Sequence, residues 1–327
     1  MEDLLRVENL KTYFFTREGI AKAVDGISFS LLPGEVFGLV GESGSGKSMT
    51  LRSILRLIPP SARIVGGHIF YQGEDVLSWP RNKLTEFRGS DISMVFQEPM
   101  TALNPVLRVG DQIIETLQEH EHLRKEELYN RARELLGLVG MPSPERRLRE
   151  YPHEFSGGMR QRAMVAIALA CKPNLLLADE PTTAIDVTLQ DQILRLIMDL
   201  QAELKMSVIW VTHDLGVIAM ICKRVGVMYA GKLLELAEVS EILSEPRHPY
   251  TLGLLESIPR YDKLGEALVS IPGSPPDVRR PPSGCPFHPR CRFSVEDCKQ
   301  APVRLSQVSP NHLSACIRVR EIWKQWV

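Results

Sequence analysis

Gly41-Glu-Ser-Gly-Ser-Gly-Lys-Ser48 stands between two stretches of different character. Residues 35–40 before it form a short unbroken apolar run, a candidate buried strand. Residues 49–57 after it have helical periodicity, and Pro59-Pro60 stops them. A glycine-rich loop between strand and helix, spaced Gly41-x4-Gly46-Lys47-Ser48, turns backbone N–H groups around phosphate oxygens. Gly41, Ser43, Gly44, Ser45, Gly46 and Met49 build or flank that cradle. Lys47 brings a positive charge to the β- and γ-phosphates, Ser48 offers a hydroxyl to magnesium, and the helix aims its positive end at the anion.

Working outward, residues 5–15 and 27–32 lean to strand, separated by a glycine-containing turn. From about 98 to 173 the chain becomes charged amphipathic helix, clearest at 109–119 and 125–138. Residues 174–178 and 207–211 return to buried-strand composition, with helical 190–204 between them. Strand, helix and strand in succession predict an α/β protein with a parallel sheet. Residues 225–228 and 232–235 flank Tyr229-Ala-Gly231 as a hairpin. Beyond about 240, prolines punctuate the chain as an extended linker or irregular arm.

The strand at 175–178 delivers Asp179 and Glu180 to its end. After a phosphate loop, such a pair supplies a magnesium-holding carboxylate, Asp179, and a general base for an attacking water, Glu180. Phe155-Ser-Gly-Gly-Met-Arg-Gln-Arg162 puts Ser156, Gly157 and Gly158 at a helix start, where freed N–H groups can face an anion.

Bulk properties exclude several classes. The chain of 327 residues has 44% hydrophobic and 24% charged residues, ample for a core. Its net charge of −1 gives no basic field for nucleic acid. No stretch reaches the roughly 18 apolar residues of a membrane span. The acidic start, Met1-Glu-Asp-Leu-Leu-Arg, does not read as a secretion signal. A cytosolic chain is expected, with membrane work left to partner subunits.

Of six cysteines, Cys171 and Cys222 sit in apolar surroundings and read as core. Cys285, Cys291, Cys298 and Cys316 fall within 32 residues. In a reducing cytosol such a group suggests metal before disulfide. Spacing leaves zinc, an iron–sulfur cluster and no metal at all open, with His288 and His312 near enough in sequence to replace a thiolate in a zinc site. Residues 279–327 hold nine Lys/Arg against three Asp/Glu, a net +6.

With these motifs in this order, the sequence resembles ABC transporter ATPases over residues 4–240. The resemblance implies a P-loop NTPase with a RecA-like lobe and N-terminal β-subdomain at 1–97 and 174–240. A helical signature-motif lobe is implied at 98–173, and a Pro-rich C-terminal arm with a metal-cluster site at 241–327. In that family Ser156, Gly157 and Gly158 are the signature motif, which meets ATP held by the other subunit of a head-to-tail dimer. Gln97, in Met94-Val-Phe-Gln-Glu-Pro99, matches the Q-loop glutamine that senses magnesium and the attacking water. Asp186, in Thr183-Ala-Ile-Asp186, matches the D-loop, with Ile185 in place of the commoner Leu. His213, in Val211-Thr-His-Asp214, matches the switch histidine that reaches the γ-phosphate. Phe14, with Tyr13 second, fits the aromatic that stacks on adenine.

Phe96-Gln-Glu-Pro-Met-Thr-Ala-Leu-Asn-Pro105 and Tyr151-Pro-His-Glu-Phe-Ser-Gly-Gly-Met-Arg160 resemble the dipeptide, oligopeptide and nickel permease branch. Gly284-Cys-Pro-Phe-His-Pro-Arg-Cys291 is similar to the arm of peptide permease ATPases that holds a [4Fe–4S] cluster. The resemblance thus implies ATP, Mg2+ and such a cluster as cofactors. It also implies transmembrane permease partners at the cytoplasmic face of the cell membrane, an indirect link to a substrate-binding protein, and pairing with a copy of itself or a homologous ATPase. Alternatives are a nickel or sugar importer, a non-transport ABC ATPase, and a metal- or redox-sensing ATP-binding protein.

Overall fold

A computed structural model describes residues 2–182, 187–258 and 270–323. The strands are β1 (Leu5–Thr16), β2 (Gly19–Leu31), β3 (Val36–Val40), β4 (Ala62–Tyr71), β5 (Glu74–Asp75), β6 (Ile92–Val95), β7 (Leu175–Asp179), β8 (Ser207–Thr212), β9 (Arg224–Tyr229), β10 (Lys232–Glu238), β11 (Ser306–Ser309) and β12 (His312–Ser314). The helices begin with α1 (Lys47–Ile54), α2 (Arg81–Ser90), α3 (Pro99–Ala102), α4 (Val109–His120), α5 (Lys125–Leu138) and α6 (Pro144–Arg147). They continue with α7 (Gly157–Ala168), α8 (Val187–Leu204), α9 (Leu215–Ile221), α10 (Val239–Ser244), α11 (Pro249–Glu256) and α12 (Val319–Trp323). Among the described residues no helix is long and apolar enough to cross a membrane.

The chain divides into two compact units. The first comprises Met1–Leu32, Val36–Leu77 and Trp210–Val327; the second comprises Pro33–Glu35 and Ser78–Ile209. The first holds an antiparallel sheet ordered β2-β1-β4-β5 and the strand run β11-β12-β10-β9-β3. β1 buries Leu5 and Val7, then Leu10 and Thr12, two alternating pairs whose phase changes at a register shift between Val7 and Leu10. β3 is buried at every residue and pairs with β9 in parallel, as expected of a continuous apolar run. The hairpin between β9 and β10 turns at Ala230 (φ 46) and Gly231 (φ 80). Two left-handed residues give the twist that joins antiparallel strands tightly.

The second unit pairs β6 and β7 in parallel, Ile92 opposite Leu175 through Val95 opposite Ala178. Beside them α4 and α5 bury apolar residues at helical spacing, Val109, Ile113 and Leu117, and Leu128, Ala132 and Leu135, while α7 buries the consecutive run Ala163, Met164, Val165 and Ala166 and is covered on most sides. The half-amphipathic pattern of 109–119 and 125–138 thus becomes two helices covering one small core.

Two expectations change. The helix after the phosphate loop ends at Ile54, well before the prolines, because Arg56 takes a left-handed φ of 51. The stretch read as linker or irregular arm carries α10, α11, α12 and the β11–β12 hairpin. β12 pairs with β10, Glu235 opposite Ser314 and Leu236 opposite Leu313. The prolines misled because Pro249 occupies the first turn of α11, where its missing N–H costs nothing.

Buried Glu235 explains how that stretch is fastened. Its carboxylate accepts from the Arg247 and His248 backbone N–H groups, the Thr251 hydroxyl and His312 Nε2, the last at 2.6 Å. Four donors satisfy a group that would be costly to bury alone.

A candidate nucleotide site and a four-cysteine cavity

In the first unit the phosphate loop leaves β3 and enters α1. Gly41 has φ 156 and Gly46 φ 105; a Cβ would lie 2.1 Å from the Met228 carbonyl at Gly41 and 2.2 Å from the Ala23 carbonyl at Gly46. Only glycine lets the chain pass so close to neighbouring backbone. Gly44 faces open space, and Ser43 beside it is exposed. Lys47 is buried, and its Nζ donates to the Gly41 carbonyl at 2.7 Å and the Glu42 carbonyl at 3.0 Å. The cation is thereby curled over its own loop. Ser45 is buried, while Ser48 and Met49 are half-buried on the first turn of α1.

Phe14 lies half-buried on β1, opposite Ala21 of β2 and Ala62 of β4. Tyr13 is committed elsewhere. Its hydroxyl donates to Asp25 Oδ1 at 2.6 Å, and burial together with Asp25 raises its pKa. Asp25 also pairs with Lys232 at 2.8 Å. His213 follows β8 and is exposed; the next residue, Asp214, caps α9 by accepting from the Gly216 N–H at 2.7 Å.

In the second unit Asp179 ends β7 and is buried, and Glu180 follows in a left-handed turn, φ 44. A non-glycine residue there is held against its preference. Gln97 leaves β6, the neighbouring strand, and donates from Nε2 to Glu180 Oε2 at 3.3 Å. Adjacent parallel strands therefore bring together residues 83 apart in sequence. Ser156 caps α7, its hydroxyl accepting from the Met159 N–H at 3.3 Å. Gly157 is exposed, with nothing near a Cβ, whereas a Cβ on Gly158 would meet Leu189 at 2.7 Å. One glycine leaves an open face and the other permits close packing. Asp186 and the segment 183–186 lie outside the described residues.

Cys285, Cys291, Cys298 and Cys316 all line one cavity of about 20 Å3, together with His248 and His288. All four are unpaired as disulfides. Burial pushes the Cys285 thiol up to about 11, with Cys291 and Cys298 adding to the shift, and pushes Cys316 up to about 12. Buried thiols such as Cys285 and Cys316 keep their protons unless a cationic centre offsets the cost of burying the thiolate. Among the described residues no group of three or more His, Cys, Asp or Glu is arranged to hold a metal ion. The four thiols thus converge on a space no larger than a water molecule.

His312, expected as a spare ligand, is tied to Glu235 at 2.6 Å. His248 stands near the thiols instead, its Nε2 3.9 Å from Cys285 Sγ. Its Nδ1 accepts the Tyr250 N–H, and burial drives its pKa down to about 3, so the neutral ring carries its proton on Nε2, toward the sulfur. Nothing in the sequence flagged His248, 37 residues before Cys285. Cys171 and Cys222, read as core, are only half-buried.

The ABC transporter family matches residues 24–183, and the family described as oligopeptide/dipeptide transporter, C-terminal region, matches 234–298. The chain is 47% identical over 315 residues to the oligopeptide transport ATP-binding protein OppD of Escherichia coli, covering 96% of this chain and 93% of that one. It is 48% identical over 317 residues to the dipeptide transport ATP-binding protein DppD of Bacillus subtilis, covering 97% and 95%. Among solved structures it is similar to the ATP-binding cassette MJ0796, a dimer in a post-hydrolysis state bound to ADP and Pi. That match has a TM-score of 0.65 and 27% identity over 72% of this chain and 98% of that one. The chain belongs to the ATP-hydrolysing, ATP-binding subunits of ABC transporters, in their oligopeptide and dipeptide branch.

Proposed function

We propose that this chain energises uptake of dipeptides or oligopeptides through transmembrane permease subunits, from the cytoplasmic face of the membrane. The observation that carries this reading is the match of residues 234–298 to the oligopeptide/dipeptide transporter C-terminal region, beyond the ATPase motifs that all importers share. Near-full-length relatives named for peptide transport support it.

The division of labour we propose has a RecA-like lobe at 1–97 and 174–240, a helical lobe at 98–173 and an arm at 241–327. Gly41, Ser43, Gly44, Ser45, Gly46, Lys47 and Met49 bind the ATP phosphates, and Phe14 stacks on adenine. Ser48, Asp179 and Gln97 hold Mg2+ directly or through water. Glu180 draws a proton from the attacking water, and His213 steadies the γ-phosphate. Ser156, Gly157 and Gly158 serve the ATP of a second subunit, a copy or a homologue, with Asp186 at the same interface. A dimeric relative of the same fold supports this arrangement. Closure on ATP and reopening after hydrolysis would drive the permease. A substrate-binding protein would hand over the peptide.

Cys285, Cys291, Cys298 and Cys316 would hold a [4Fe–4S] cluster, zinc being the other candidate. Such a cluster would staple the arm and could carry an electron. His248 would donate toward Cys285, favouring its thiolate.

The test is transport. The chain is reconstituted with its permease subunits and binding protein in liposomes holding ATP on the motor's side, and labelled dipeptide, hexapeptide, nickel and sugar are offered. ATP-dependent accumulation of peptide alone supports the reading; accumulation of nickel or sugar without peptide overturns it.

A further inference from the structure

Glu42, the second residue of the phosphate loop, is held on every polar group it has. Its backbone N–H donates to the Tyr250 hydroxyl at 2.8 Å. Its carbonyl accepts from the Ser45 N–H at 3.2 Å and from Lys47 Nζ at 3.0 Å. Its carboxylate takes both arms of the Arg290 guanidinium, Nη1 to Oε2 at 2.6 Å and Nη2 to Oε1 at 3.0 Å. Two parallel charge-assisted bonds fix orientation as well as distance, which one point charge cannot do.

Arg290 is itself fixed. Its side chain is 6% exposed. Nε donates to the Pro272 carbonyl at 2.8 Å, Nη2 to the Ile271 carbonyl at 3.2 Å, and Nη1 to the Tyr229 hydroxyl at 3.2 Å. Tyr229, Tyr250 and Phe287 pack ring against ring at centroid distances of 4.6 to 5.4 Å. Arg290 immediately precedes Cys291, which lines the four-cysteine cavity. A rigid group 248 residues along the chain thus grips the loop whose glycines otherwise leave it free to move.

We propose that Arg290 is a positioning residue for ATP binding, acting through Glu42 to hold the phosphate loop in its binding shape, with Tyr250 as the second anchor. The C-terminal segment is then part of the nucleotide site's support. Whatever loosens it raises the ATP concentration the motor needs, because the loop must be ordered at the cost of binding energy. This rests on the reading of Gly41–Ser48 as the ATP phosphate site.

The test measures Mg-ATP binding by calorimetry and ATPase kinetics on the full chain. The variants are Arg290→Gln, Arg290→Lys, Glu42→Gln, the double Glu42→Gln/Arg290→Gln, and Lys47→Ala. Each single change at 42 or 290 to Gln should weaken ATP about tenfold and raise KM, with kcat at saturation within about twofold of wild type. The double should be no worse than the worse single, since one interaction is lost in all three. Arg290→Lys should recover part of the affinity. A merely structural Arg290 would instead lower the melting temperature and the active fraction, leaving KM unmoved. Glu42→Gln, on a partly exposed loop side chain, keeps the test valid if Arg290→Gln does not fold. Loss of ATP binding in Lys47→Ala with wild-type affinity in Glu42→Gln overturns the positioning role alone. Wild-type affinity in Lys47→Ala overturns the phosphate-loop reading and the proposal with it.

Discussion

Gln97 Nε2 donates to Glu180 Oε2 across 3.3 Å, from the end of one strand to the end of its parallel neighbour. The bond orients the carboxylate we assign as base and holds it in its left-handed turn. Gln97→Ala should therefore cut steady-state ATPase turnover about tenfold while the KM for ATP stays within about threefold, because orientation of the base is lost while Ser48, Asp179 and the phosphate loop still hold Mg-ATP. A colorimetric phosphate assay over a range of ATP concentrations separates the two parameters.

The two signature glycines should respond differently. Gly157 has nothing near a Cβ and stands at the first position of α7. Gly157→Ala should leave the melting temperature unchanged or slightly raised. It should lower ATPase activity, because the open face is where a second subunit's nucleotide is proposed to come. Gly158→Ala pushes a methyl to 2.7 Å from Leu189 Cδ1, and should cost about 1–3 kcal/mol of stability. Thermal melts and turnover on the same preparations check both.

Asp25 gives a signed pH dependence. Burial alone would raise its pKa, but hydrogen bonds from Lys232 and Tyr13, with the charges of Lys232 and Lys22, leave it lowered. A carboxylate depressed in the folded state stabilises above its unfolded value of about 3.9, and that contribution fades as pH falls through the folded value. Asp25→Asn should melt about 2 °C or more below wild type at pH 7, and the gap should close below about pH 4. Melting curves from pH 3 to 8 test the slope.

The strand, glycine turn and helix around Gly41–Ser48, the strand ending at Asp179 and the helix capped by Ser156 were legible because each is local: backbone conformation and short-range chemistry fix their residue types. β3, β7 and β8 were legible as unbroken apolar runs. Residues 62–90 were not, since β4, β5 and α2 mix polar and apolar residues without a clear period. The segment after 240 misled because prolines at helix starts look the same in sequence as prolines in linkers. The four cysteines announced themselves as a cluster, yet His248 beside them and Arg290 on Glu42 depend on contacts between distant parts of the chain, which no local pattern encodes.

The central claim is that this chain hydrolyses ATP with Glu180 as the base. The most direct measurement is ATP turnover by Glu180→Gln together with retention of radiolabelled ATP. The account predicts a loss of turnover of roughly 100-fold or more, with ATP recovered unhydrolysed on the protein. Turnover within about twofold of wild type would contradict it.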